Sequence, residues 1–102
     1  MTQAVTVQGR LPSPYVHADS RGLVLCNGPR CVYLPQAQLR MAAEAFAIIA
    51  EDKRATRSSG PHVVGGYLDG GDVILYAGTN DDLVSVSVSN AEFDSLRRAL
   101  AR

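Results

Sequence analysis

Hydrophobic and polar residues alternate most regularly near the end of the chain, where Val84, Val86 and Val88 are interleaved with Ser85, Ser87 and Ser89. A period of two places the valines on one face of a strand and the serines on the other. Asp72–Ala77 is an apolar run just upstream, and Gly78-Thr79-Asn80-Asp81-Asp82 between the two is turn chemistry. A hairpin follows. A second one is predicted where Leu23–Cys26 and Cys31–Leu34 flank Asn27-Gly28-Pro29-Arg30, read as a four-residue loop. His62–Leu68, weakened by Gly65-Gly66, is a strand before the turn Asp69-Gly70-Gly71. Tyr15–His17 is a shorter strand before Asp19-Ser20-Arg21-Gly22. Residues 1–13 alternate loosely through Val5, Val7 and Leu11 and run into Pro12-Ser13-Pro14, which reads as an N-terminal arm or an edge strand.

The period changes twice. After Pro35, suited to a first helical position, Leu39, Ala42, Phe46 and Ile49 recur at helical spacing, and Ala43 and Ala50 widen the stripe. This helix is expected over about residues 36–54, before Ser58-Ser59-Gly60-Pro61. Ser89-Asn90-Ala91-Glu92 is a capping box, and Phe93, Leu96 and Leu100 are the buried stripe of a second helix over about 90–101. Arg97, Arg98 and Arg102 suit its negative C-terminal end.

These elements predict a single α+β domain over residues 1–102: an antiparallel sheet of five to six strands with two helices, side by side, packed on one face. Gly22–Gly28 lies over Asp72–Gly78, and Val32–Pro35 over Val86–Ser89, so the pattern admits a ββα pseudo-repeat.

Closing the first hairpin so that Cys26 faces Cys31 puts Leu23, Leu25, Val32 and Leu34 on one side. Closing the second across Thr79 and Asp82 does the same for Val73, Leu75, Val86 and Val88. This aliphatic side is the expected core. The opposite side carries Val24, Cys26, Cys31, Tyr33, Ile74, Tyr76, Ser85 and Ser87, with no charged residue among them. Solvated sheet faces ordinarily carry charge, so an uncharged face with tyrosines is expected to be covered. The N-terminal arm, a second copy of the chain, or a partner can do so.

Composition narrows the classes. Ten basic and ten acidic residues cancel in a chain of 102, so there is no broad positive field for duplex nucleic acid or anionic lipid. No apolar run is long enough to span a membrane and Met1–Arg10 has no signal-peptide pattern, so a cytoplasmic protein is expected. Nine arginines against one lysine suit a GC-rich genome and a small bacterial or phage accessory protein.

Two cysteines are too few for a disulfide scaffold. Facing each other across a hairpin, Cys26 and Cys31 are either small buried apolar residues, the leading expectation, or a redox or metal-responsive pair. His17 and His62 match no zinc-finger spacing with them, and the acidic loops Asp69-Gly70-Gly71-Asp72 and Asn80-Asp81-Asp82 match no calcium loop. No metal and no cofactor is expected. Cys26, His17 and Asp19 are the one trio resembling a nucleophilic site, and a strand position gives Cys26 no activation. The expectation is therefore a non-enzymatic binding or regulatory module acting through protein contacts on the uncharged face, as a homodimer. The alternatives are single-stranded nucleic-acid binding through Tyr15, Tyr33, Tyr67 and Tyr76 with Arg10, Arg21, Arg30 and Arg57, and a redox or metal-responsive protein using the cysteine pair.

Overall fold

The computed structural model describes residues 5–9 and 14–100. Arg10, Leu11, Pro12 and Ser13 of the expected arm and Arg102 of the expected second helix lie outside them.

Over the described residues the fold is α+β, with eight strands in two antiparallel four-stranded sheets. The first sheet is a meander of β1 (Val5–Gln8), β2 (Pro14–Ala18), β3 (Gly22–Asn27) and β4 (Arg30–Pro35) in sequential order. A helical segment follows: a 3₁₀ turn Gln36–Gln38, α1 (Leu39–Ala47) and a π turn Ile48–Asp52, closed by Lys53 in the left-handed region at φ 56°. The second meander is β5 (Thr56–Arg57), β6 (Val63–Asp69), β7 (Asp72–Thr79) and β8 (Asp82–Ser89), followed by α2 (Asn90–Leu100). Each half thus runs four strands, then helix.

The hairpin registers are those the alternation predicts. Leu23 pairs with Leu34, Leu25 with Val32 and Cys26 with Cys31. Val73 pairs with Val88, Leu75 with Val86 and Tyr76 with Ser85. The first hairpin is tighter than expected: Asn27 pairs with Arg30, so only Gly28-Pro29 turn, with Gly28 at φ 65° supplying the positive dihedral such a turn needs. The capping box forms as read, Ser89 Oγ accepting from the Glu92 N–H at 3.2 Å and Glu92 Oε1 accepting from the Ser89 N–H at 2.7 Å.

The expected single sheet of five to six strands is not what forms. The reason lies at the free edge of β8. Leu83 and Ser85 occupy rungs whose carbonyls point away from β7, where another strand would bond to them. Instead Arg30 Nη2 donates to the Leu83 carbonyl at 3.1 Å and Asn27 Nδ2 to the Ser85 carbonyl at 3.1 Å. Arg30 also pairs with Asp82. Side chains from the tip of the β3–β4 hairpin thus meet the β8 edge where a ladder would otherwise run, and the aliphatic faces of the two sheets pack on a shared core.

One core serves both. Val16, Ala18, Leu23, Leu25 and Leu34 from the first sheet meet Val64, Val73, Leu75, Ala77, Val84, Val86 and Val88 from the second, with Phe46, Ile49, Phe93 and Leu96 from the helices. Nor do the helices lie on one face of one sheet. Helix α1 packs on β6, while α2 touches β1 and β2 as well as β7 and β8, so it bridges the sheets. The helices meet through Phe46 and Phe93, ring centroids 5.5 Å apart at 61°, and through an Arg97–Glu51 ion pair at 2.8 Å. Val5 and Val7 pack against the core from β1, so this segment is an edge strand of the first sheet rather than a cover for the outer face.

Candidate functional site

The eight residues expected on one uncharged face divide between two. Val24, Cys26, Cys31 and Tyr33 lie on the outer face of the first sheet, and Ile74, Tyr76, Ser85 and Ser87 on that of the second. All eight turn away from the aliphatic rungs, as the alternation requires.

On the first sheet, pairing across all four strands builds two complete rows. One is Thr6, His17, Val24 and Tyr33; the other is Gln8, Tyr15, Cys26 and Cys31. No Lys, Arg, Asp or Glu stands in either row. Tyr33 is 57% exposed and Tyr15 40%, Cys31 is exposed, and Cys26 is 1% exposed. Thr6, Gln8, Tyr15 and His17 were not named for this face by the alternation argument. The signal was present in Val5 and Val7, whose inward direction turns Thr6 and Gln8 outward, and in the pairing of Tyr15 with Cys26.

The second sheet's outer face is more closed. Ser87 is buried, Ile74 and Tyr76 are half-buried, and Ser85 alone of the four is exposed. Here the Tyr76 ring lies over Gly65, where an added Cβ would come within 2.9 Å of the ring and 2.3 Å of the Thr56 carbonyl. The Tyr76 hydroxyl donates to that same carbonyl at 3.1 Å. Tyr33 uses the same device: its ring lies over Gly22, 2.6 Å from where a Cβ would stand, and its hydroxyl donates to the Arg21 carbonyl at 3.1 Å. A ring laid over a strand glycine shields backbone that would otherwise be wet. Both tyrosines therefore have a structural role of their own, which alternation does not reveal.

At one end of the first sheet a chain of hydrogen bonds surrounds His17. Thr6 Oγ1 bonds His17 Nδ1, and His17 Nε2 lies 3.2 Å from Asp19 Oδ2. The other Asp19 oxygen accepts from the Arg21 N–H at 2.8 Å and the Gly22 N–H at 3.2 Å, which fixes the β2–β3 turn. The Arg21 N–H first, and then His17, hold the Asp19 carboxyl below its ordinary range, because each stabilises the ionised form. A pocket of about 260 Å³ opens beside Asp19, Arg21, Val24 and Tyr33. The trio Cys26, His17 and Asp19 does not assemble: His17 is bound to Thr6 and Asp19, and the Cys26 sulfur is bonded to Cys31.

That bond is a departure from the leading expectation of two free thiols. Cys26 and Cys31 form a cross-strand disulfide with Cα atoms 4.1 Å apart. Their sulfurs are thereby withdrawn from any site with His17 or His62. Among the described residues, no three His, Cys, Asp or Glu side chains are grouped to hold a metal ion.

Of the loop arginines expected to track phosphates, Arg10 lies outside the described residues and the other three have acidic or polar neighbours. Arg30 is held by Asp82 and the Leu83 carbonyl, Arg57 donates to Asn80 Oδ1 at 2.9 Å, and Arg21 stands 3.7 Å from Asp19. A second pocket, about 330 Å³ between α1 and α2, is lined by Ala43, Phe46, Asp94, Arg97 and Arg98, and its Arg97 is engaged with Glu51. No helix among the described residues is long and apolar enough to cross a membrane.

The chain matches no family model, no curated protein and no solved structure.

Proposed function

We propose that the protein is a small non-enzymatic binding module that acts through protein contacts on the outer face of its first sheet, and that a second copy of the chain is its first partner. One observation carries this reading: two full rows across a four-stranded sheet include exposed Tyr15 and Tyr33 and no charged side chain. Interfaces favour tyrosine and are depleted of Lys, Glu and Asp at their centres. A symmetric pair of sheets stacked about a two-fold axis covers both copies at once.

The face is small. Four strands at about 4.8 Å spacing and about five residues at 3.3 Å each make roughly 300 Å² in projection. A standard interface takes about 800 Å² per partner. Association is therefore weak and concentration-dependent, and the loops around the face take part in it. Cytoplasmic residence and a bacterial or phage accessory role belong to the same proposal, as does duplication as the origin of the two halves.

Sedimentation equilibrium tests it. The expected result is a shift from one to two chain masses as concentration rises to high micromolar, with Tyr15→Arg holding the protein monomeric. A monomer at every concentration overturns the homodimer. Single-stranded nucleic acid is the competing occupant of the same tyrosines. Salt-sensitive binding of an oligonucleotide, abolished by Tyr15→Ala and Tyr33→Ala, would replace the protein-contact reading.

A further inference from the structure

We propose that Cys26 and Cys31 form a reversible thiol–disulfide exchange site for small aliphatic thiols, attacked at Cys31 and resolved by Cys26. Three observations carry it; the third, the exposure of Cys31, holds for the single chain, which the weak association proposed above leaves populated.

The first is how little the bond adds to the fold. Its sequence separation is 5, and the same two strands are already tied by a two-residue turn and the pairs Asn27–Arg30, Leu25–Val32 and Leu23–Leu34. Cross-linking restrains an unfolded chain least when the loop is short. A staple placed for stability would join segments distant in sequence, such as β3 to β8.

The second is position. The bond lies on the outer face, and neither cysteine belongs to the hydrophobic core cluster. Opening it leaves the packing of Leu23, Leu25, Val32 and Leu34 on the other side of the hairpin in place. Reduction is therefore compatible with the folded state.

The third is asymmetry. Cys31 is exposed and Cys26 is 1% exposed. Cys31 is the residue of the pair open to solvent, so the incoming thiolate is placed at Cys31. A new S–S bond forms between the thiol and Cys31 Sγ while the Cys26–Cys31 bond breaks, and its electron pair leaves on Cys26 Sγ, which takes up a proton. From this mixed disulfide two outcomes follow. The Cys26 thiolate can attack Cys31 Sγ, restoring the protein bond and expelling the small thiol. Alternatively, a second thiol attacks the small-molecule sulfur, leaving Cys31 as a thiol and releasing the oxidised small-molecule disulfide. The net change is two thiols oxidised to one disulfide and one protein disulfide reduced to two thiols.

Glutathione serves as the probe, with intact mass as the readout and far-UV circular dichroism confirming the fold. Reduced wild-type protein treated with oxidised glutathione is expected to return to the internal disulfide with no lasting adduct. Cys26→Ser is expected to keep one glutathione on Cys31. Cys31→Ser, whose remaining thiol is buried, is expected to react at least about tenfold more slowly. Equal rates for the two variants would overturn the assignment of roles. Wild-type protein that stays oxidised in millimolar dithiothreitol while folded, that unfolds on reduction, or that carries two free thiols in air would overturn the exchange site itself.

Discussion

The two sheets carry outer faces of the same parity and different fate. At corresponding rungs, one out from Leu25–Val32 and from Leu75–Val86, the first half has the Cys26–Cys31 pair and the second has Tyr76–Ser85. In the first, a covalent bond spans the rung and leaves Tyr15 and Tyr33 exposed beside it. In the second, the Tyr76 ring folds down over Gly65, its hydroxyl is taken by the Thr56 carbonyl, and Ser87 on the next row is buried. Alternation decides which residues turn away from the core. Whether they meet water depends on neighbours that alternation does not describe. The proposed contact surface belongs to the first sheet for this reason.

The largest effect should come where the halves do not differ. Leu25 and Leu75 are equivalent, buried and part of one core. Leu25→Ala and Leu75→Ala should each cost about 3 kcal/mol, and each variant should still melt in a single transition. Two separable transitions in either variant would mean that the halves fold as independent units, and the comparison would then be between two domains.

A smaller effect separates the tyrosines. Tyr76→Phe removes a half-buried hydroxyl from the Thr56 carbonyl and should cost about 1 kcal/mol in urea denaturation. Tyr33→Phe removes the same kind of bond from a more exposed position, where water replaces it, and should stay within about 0.5 kcal/mol. An equal loss at both sites would place Tyr33 in a better shielded setting than its exposure indicates and weaken its claim as a contact residue.

The smallest effect is confined to acid. The β2–β3 turn is held by the Asp19 carboxylate, whereas the matching β6–β7 turn relies on Gly70 at φ 62°. Because the folded protein lowers the Asp19 pKa, its stabilisation is fully present above the unfolded value of about 3.9 and is lost as pH falls through the lower folded value. Asp19→Asn should therefore flatten the stability profile below about pH 4 and leave its shape above pH 5 unchanged. A profile of wild-type steepness in acid would assign that sensitivity to other carboxylates.

Much of the fold was legible along the chain because hairpins and helices are local. Two-residue periodicity and turn chemistry were enough to set the pairings of Cys26 with Cys31 and of Leu75 with Val86. The 3.6-residue stripe located both helices, and Ser89 and Glu92 marked where the second begins. The direction of all eight proposed site residues followed from the same alternation.

What tertiary structure alone decided is everything that joins segments far apart in sequence. Arg30 and Asn27 reach across 50 or more residues to the β8 edge, and the expected single sheet is two. Even between neighbouring strands, packing rather than alternation decided that rings settle over Gly22 and Gly65 and that Thr6 bonds His17. Periodicity reports the direction of a side chain relative to its own strand. The partner waiting in that direction is chosen by packing around a shared core, and no local pattern encodes it.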